Sequence, residues 1–156
     1  MNDPFYEFDV LEEAHRFDFL SIGRTAIHKA IVYSATPVTN VYSLMLADVE
    51  HDGELNVYSI SNNGDMRYVL ATVYQTLIHF LDLHPNAIVA FTGSTSSRTR
   101  LYRSCLSIYL DQLQKNYRVL GQRKNAPEPE IFKPGTDYEY FVICLKSYKF
   151  ESHLHT

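Results

Sequence analysis

The chain has 156 residues, 46% of them hydrophobic and 13% aromatic, with twelve Tyr and nine Phe; that is ample for a packed core and too apolar for a disordered chain. A net charge of −4 argues against a general nucleic-acid binder. No apolar run approaches the roughly 20 residues of a membrane span, so no membrane role is expected.

The length suits a single domain spanning 1–156, with a core from about 16 to 147 and frayed termini. Residues 16–20 and 24–34 read as two strands joined near "SIGR", with Gly23 in the turn. In the second, Ile27, Lys29, Ile31 and Tyr33 alternate against His28, Ala30 and Val32. "VYSLMLADVE" (41–50) and "ELNVYSI" (54–60) follow as strands three and four, joined by the hairpin signal "HDGE". The period then changes. Met66, Val69, Leu70, Val73, Leu77, Phe80 and Leu81 fall at helical spacing, and Pro85 ends that helix.

"AIVAFT" (87–92) is a short buried-type strand, and a second helix runs from the Gly93–Ser97 turn to about Lys115. "YRVLG" (117–121) and "YEYFVICLK" (138–146) are the last strands, separated by a Pro-rich loop, and "SYKFESHLHT" is a tail. The expected fold class is therefore α+β: a mixed, mainly antiparallel sheet of about 6–7 strands with two main helices, in the order ββββαβαββ. A crossover through the first helix should make "ELNVYSI" and "AIVAFT" parallel neighbours.

Charge is uneven along the chain. Residues 94–124 hold seven basic side chains and one acid, a net of +6, so the remainder carries −10. Such asymmetry attracts an anionic partner, or simply forms a solvated basic face. Cys105 and Cys144 lie far apart in apolar surroundings, without CxxC or Cys/His spacing, and the histidines are scattered. Reduced core thiols, no metal site and no cofactor are expected. The acidic N-terminus lacks a signal-type apolar region, which points to the cytoplasm.

Two motifs carry chemistry, and both should fall at the carboxyl ends of the parallel strands, where open sheets bind ligands. The first is "SNNGD" (61–65), in which Asn62, Asn63 and Asp65 are either turn and capping residues or readers of a polar ligand. Asp65 would also suit a salt bridge to an arginine of the second motif. That second motif is "GSTSSRTRLYR" (93–103). Gly93 permits a tight turn or close approach, and Ser94 and Thr95 supply hydroxyls and caps. Arg98, Arg100 and Arg103 supply planar forks that match phosphate. Free N–H groups at a helix start add to this, and three arginines near that start oppose the helix dipole unless an anion is present. At about 100° per residue Arg100 and Arg103 lie about 60° apart while Arg98 points away, so an extended ligand or partner surface fits better than one small anion. Tyr102 sits among the arginines.

These motifs, with "YEYFV" near the end, resemble a family of small uncharacterised bacterial proteins over about Phe17–Lys146, which implies no established activity. The strand–helix order is similar, more weakly, to the latter part of the GCN5-related acyltransferase fold. There the turn after the fourth strand binds coenzyme A, and a helical tyrosine, here Tyr102 of "TSSRTRLY", protonates the departing thiolate. "SNNGD" departs from that family's pyrophosphate loop, since Asp65 would repel the anion. The leading expectation is a phosphate-bearing ligand, either a nucleotide or a nucleic-acid segment. The alternatives are an acidic partner protein, as in a toxin–antitoxin-like pair, and acyl transfer from acetyl-coenzyme A. A homodimer is possible through exposed aromatics.

Overall fold

The computed structural model describes residues 3–59 and 62–147. The strands are β1 (Phe8–Leu11), β2 (Arg16–Ile22), β3 (Ala26–Ala35), β4 (Val41–Val49), β5 (Leu55–Asn56), β6 (Ile88–Phe91), β7 (Tyr117–Arg123), β8 (Glu130–Ile131) and β9 (Tyr138–Leu145). The helices are α1 (Met66–Leu83) between β5 and β6, then α2 (Ser96–Ile108) and α3 (Leu110–Asn116) between β6 and β7. The sheet runs β1-β2-β3-β4-β6-β9-β7-β8, with β5 also paired to β4. The fold is α+β, and every strand pair is antiparallel except β4 with β6.

The sheet has two more strands than the periodicity predicts because β1 and β8 are short edge pieces. Four or two residues are too few for a period to register. The expected fourth strand shrinks to Leu55–Asn56. The Asn56 side chain accepts from the Tyr58 amide at 3.0 Å and turns the chain out of the sheet; Ile60 lies outside the described residues. The expected second helix divides at Tyr109, whose ring stacks on Tyr74 with centroids 4.3 Å apart and whose hydroxyl reaches Asp3.

The parallel neighbour of β6 also differs from expectation. It is β4, paired through Val41 with Ile88 and Tyr42 with Val89, and not the short strand after it. β3 occupies one whole flank of β4, from Tyr42 to Asp48. On the other flank β6 takes the beginning of β4 and β5 takes Asp48 and Val49. Between them, Ser43 to Ala47 have no strand alongside among the described residues. Tyr102 of α2 enters this gap, and its hydroxyl accepts the Leu46 N–H at 2.9 Å. Its ring meets Phe91 edge-on, with centroids 5.3 Å apart.

Helices α1 and α2 pack on one face of the sheet. The inward set of β2 and β3 (Phe17, Phe19, Ile31, Tyr33) meets Leu77 and Phe80 of α1, and the Tyr33 ring lies flat on Phe80 at 4.3 Å. Cys105 and Cys144 are free and buried, as expected, and burial pushes the Cys105 thiol up to about 12. The chain before β2 is tied down by its aromatics. Tyr6 and Phe8 pack on the core, the Tyr6 N–H donates to Thr72 Oγ1, and Asp3 accepts from Tyr109 and Arg67. Residues 148–156, where the tail was expected, lie outside the described residues. No helix is long and apolar enough to cross a membrane.

Two predictions follow from this frame. Removing the Tyr102 hydroxyl strands the Leu46 N–H, so Tyr102→Phe should lower stability by about 1–3 kcal/mol in urea unfolding. The Tyr109 hydroxyl, and after it Arg67, hold the Asp3 carboxyl below its ordinary pKa. The Asp3 anchor is therefore fully in place above about pH 4 and is lost as pH falls through the lowered pKa. The Tyr6 amide resonance should titrate in that window in the parent, and stay flat in Asp3→Asn.

Candidate functional site: a cleft between two helix starts

The chain leaves β5 for α1, returns through β6 alongside β4, and leaves again for α2, so both helices begin at the same end of the parallel pair. A cleft of about 840 Å³ opens there. Both sequence motifs border it: Asn62, Asn63 and Asp65 from one, Thr95, Arg98 and Arg100 from the other. They are thirty residues apart in the chain and face one space.

Asn63 fixes the loop before α1. It is buried, its Oδ1 accepts the Thr25 N–H at 2.9 Å, and its Nδ2 donates to Ser21 Oγ and the Thr25 carbonyl. Gly23 lies so close that a Cβ there would overlap the Asn63 carbonyl. Asn62 and Gly64 both take positive φ, which bends the chain sharply into the helix. Asn63 thus builds the loop, while Asn62 stays exposed at the rim.

Asp65 occupies the N-cap position of α1, yet makes no side-chain cap bond. Nor does it bridge to an arginine of the second motif. Its carboxylate is taken by the hydroxyls of Ser21 and Tyr6, at 2.5 and 2.6 Å. Burial, and after it this bond to Asp65, raises the Tyr6 pKa. The first-turn N–H groups of α1 therefore receive no side-chain cap, and neither α1 nor α2 has an acid in its first turn.

At α2, Thr95 Oγ1 accepts the Arg98 N–H at 3.2 Å and caps the helix. Ser94 turns away to donate to the Val57 carbonyl. Gly93 is needed for space, since a Cβ would collide with the backbone of Arg98 and Thr99; the close approach is to its own helix, not to a ligand. Tyr102 is buried in the sheet gap and is not among the residues lining the cleft. Burial raises its pKa. Arg103 also lies outside the lining and pairs with Asp137 at 3.2 Å.

Arg98 and Arg100 diverge, as helical geometry predicts, yet both border the cleft. Arg100 is exposed, whereas Arg98 is 7% exposed. The Arg98 guanidinium donates to the Ser59 carbonyl at 3.3 Å. Among the described residues no carboxylate lies within ion-pair distance of either arginine. The two other cations of the lining are paired, Lys29 with Asp48 at 2.6 Å and Arg67 with Asp3 at 2.9 Å. Lys29 was missed as a site residue. Its signal was a lysine in the inward register of β3, between Ile27 and Ile31. Met66, Tyr68 and Leu101, also in the lining, gave no signal beyond helical spacing. No group of three or more His, Cys, Asp or Glu is placed to hold a metal among the described residues.

The arrangement is two helix starts and two arginines without carboxylate partners, around a space large enough for an organic ligand. A family of unknown function, DUF6934, matches residues 2–146. Neither the curated proteins nor the solved structures gave a match. With nearly the whole chain inside the matched span, the protein belongs to the DUF6934 family.

Proposed function

We propose that this protein binds a phosphate-bearing ligand in the cleft between the starts of α1 and α2. Arg98 carries the reading. A cation this buried is costly unless a charge balances it, and no carboxylate among the described residues does so. A phosphate seated in the cleft would balance it with a bidentate contact, aided by the N–H groups of both helix starts. Arg100, exposed at the same cleft, would take a second phosphate oxygen. Acyl transfer draws less support, because its proton donor would be Tyr102, which is buried against β4 and is not among the residues lining the cleft.

A protein partner is the second reading, and a different face favours it. Leu20 and Ile22 alternate with the inward Phe19 and Ser21, so they stand on the side away from the helices, 47% and 62% exposed. On that reading the chain sediments as a homodimer and Ile22→Lys as a monomer; a monomeric parent removes it.

For the phosphate site, inorganic pyrophosphate should raise the melting temperature of the full chain more than chloride of equal ionic strength does. Arg100→Ala should weaken pyrophosphate binding by roughly tenfold, the worth of one charged hydrogen bond. Arg98→Met should abolish binding while leaving the free protein as stable as the parent or more so, because it removes an unbalanced buried charge. Arg98→Met destabilised in the absence of ligand, with pyrophosphate affinity unchanged in Arg100→Ala, would overturn the reading.

A further inference from the structure

The composition of the cleft also bears on what the phosphate is attached to. The wall from α2 is polar and cationic, with Thr95, Ser97, Arg98 and Arg100. The facing wall, from the start of α1, places Met66, Tyr68 and Val69 beside Asp65 and the Asp3-paired Arg67. Met66 is 61% and Tyr68 43% exposed, so two large side chains able to cover a flat ring stand open beside the arginines. A volume of about 840 Å³ far exceeds one phosphate and lies within the range of clefts that enclose organic ligands.

The remaining basic residues of the 94–124 segment do not extend the cleft into a track. Arg103 is turned to Asp137, Arg123 to Glu130, Arg118 donates to the Lys146 carbonyl, and Lys115 and Lys124 are exposed outside the lining. A bound strand of nucleic acid needs a run of cations along its backbone, and of the seven basic residues in 94–124 only Arg98 and Arg100 line the cleft.

We infer that the ligand is a free mononucleotide, its phosphates on Arg98 and Arg100 and its base against Met66 and Tyr68, and not a nucleic-acid strand. This rests on the phosphate reading above and adds the base and the chain length. A base stacked on an aromatic ring is worth about 1–3 kcal/mol, which is roughly tenfold in affinity or more.

The test is calorimetric titration of the full chain with inorganic pyrophosphate, adenosine diphosphate and oligothymidylates of increasing length. Adenosine diphosphate should bind at least about tenfold more tightly than pyrophosphate. Tyr68→Ala should bring adenosine diphosphate to the affinity of pyrophosphate in the same variant; Met66→Gln should narrow the difference. Oligothymidylates should bind no more tightly as they lengthen. Equal affinity for pyrophosphate and adenosine diphosphate, or affinity that climbs with oligonucleotide length, overturns the inference while leaving the phosphate site standing. Failure of every phosphate compound to bind removes both readings together.

Discussion

The arrangement turns on the free flank of β4. A central strand normally has a neighbour along its full length, because unpaired backbone groups away from water are costly. Here β6 pairs with only the first residues of β4 and β5 with its end, so the sheet divides between them. The Tyr102 hydroxyl supplies the missing acceptor for Leu46, which allows the divided sheet to remain dry inside. Leu46 also borders the cleft, so the same strand that lacks a neighbour forms its floor. The buried tyrosine that looked like a chemical group is the part that makes room for a site.

The electrostatics follow from that geometry. Two helices that start at one end of a parallel pair turn their positive ends toward a shared space. Acidic first turns would neutralise them, and both helices lack such residues. The one carboxylate at the cleft, Asp65, is bound by two hydroxyls that donate to it. Lys29 and Arg67 are matched by Asp48 and Asp3, so the field left in the cleft is that of Arg98, Arg100 and the helix ends, opposed by the Asp65 carboxylate. Sequences selected for stability alone do not usually bury a guanidinium without a carboxylate, which is why the phosphate reading rests on Arg98.

Much of this was legible in the chain, and the remainder was not for identifiable reasons. The helical spacing from Met66 to Leu81 marks α1, and the alternation through Ile31 and Tyr33 marks β3, because those segments are long enough for a period to register. The meeting of "SNNGD" with "GSTSSRTRLYR" was expected from a parallel pairing of "ELNVYSI" with "AIVAFT" that does not form; β4 takes that place beside β6 and β5 folds back antiparallel to it. Which strand lies beside β6 could not be read, because Asn56 ends β5 through one side-chain bond that no periodicity encodes. The roles of Gly93, Ser94 and Tyr102 were equally hidden. Each is set by a contact with a backbone atom, and those of Ser94 and Tyr102 lie far away in the chain. Composition singled out a segment; only three-dimensional proximity separates its residues that face the cleft from those that build it.

The segment ahead of β2 has a wider significance than its place at the sheet edge suggests. Between Asp3 and Phe8 the chain crosses α1, and Tyr6 uses its amide on Thr72 and its hydroxyl on Asp65. Three successive residues after β1, Glu12 to Ala14, hold left-handed backbone angles, each unfavourable by roughly 1–2 kcal/mol for a residue with a side chain. The strap is thus held at one end against a strained turn, which sets its stability below that of the core. Lifting it would withdraw a donor from Asp65 and free Arg67 from Asp3, shifting the balance of charge in the cleft without altering a residue inside it. On the phosphate reading, attachment of the N-terminal strap and anion affinity would be linked equilibria, each shifting the other by the same factor.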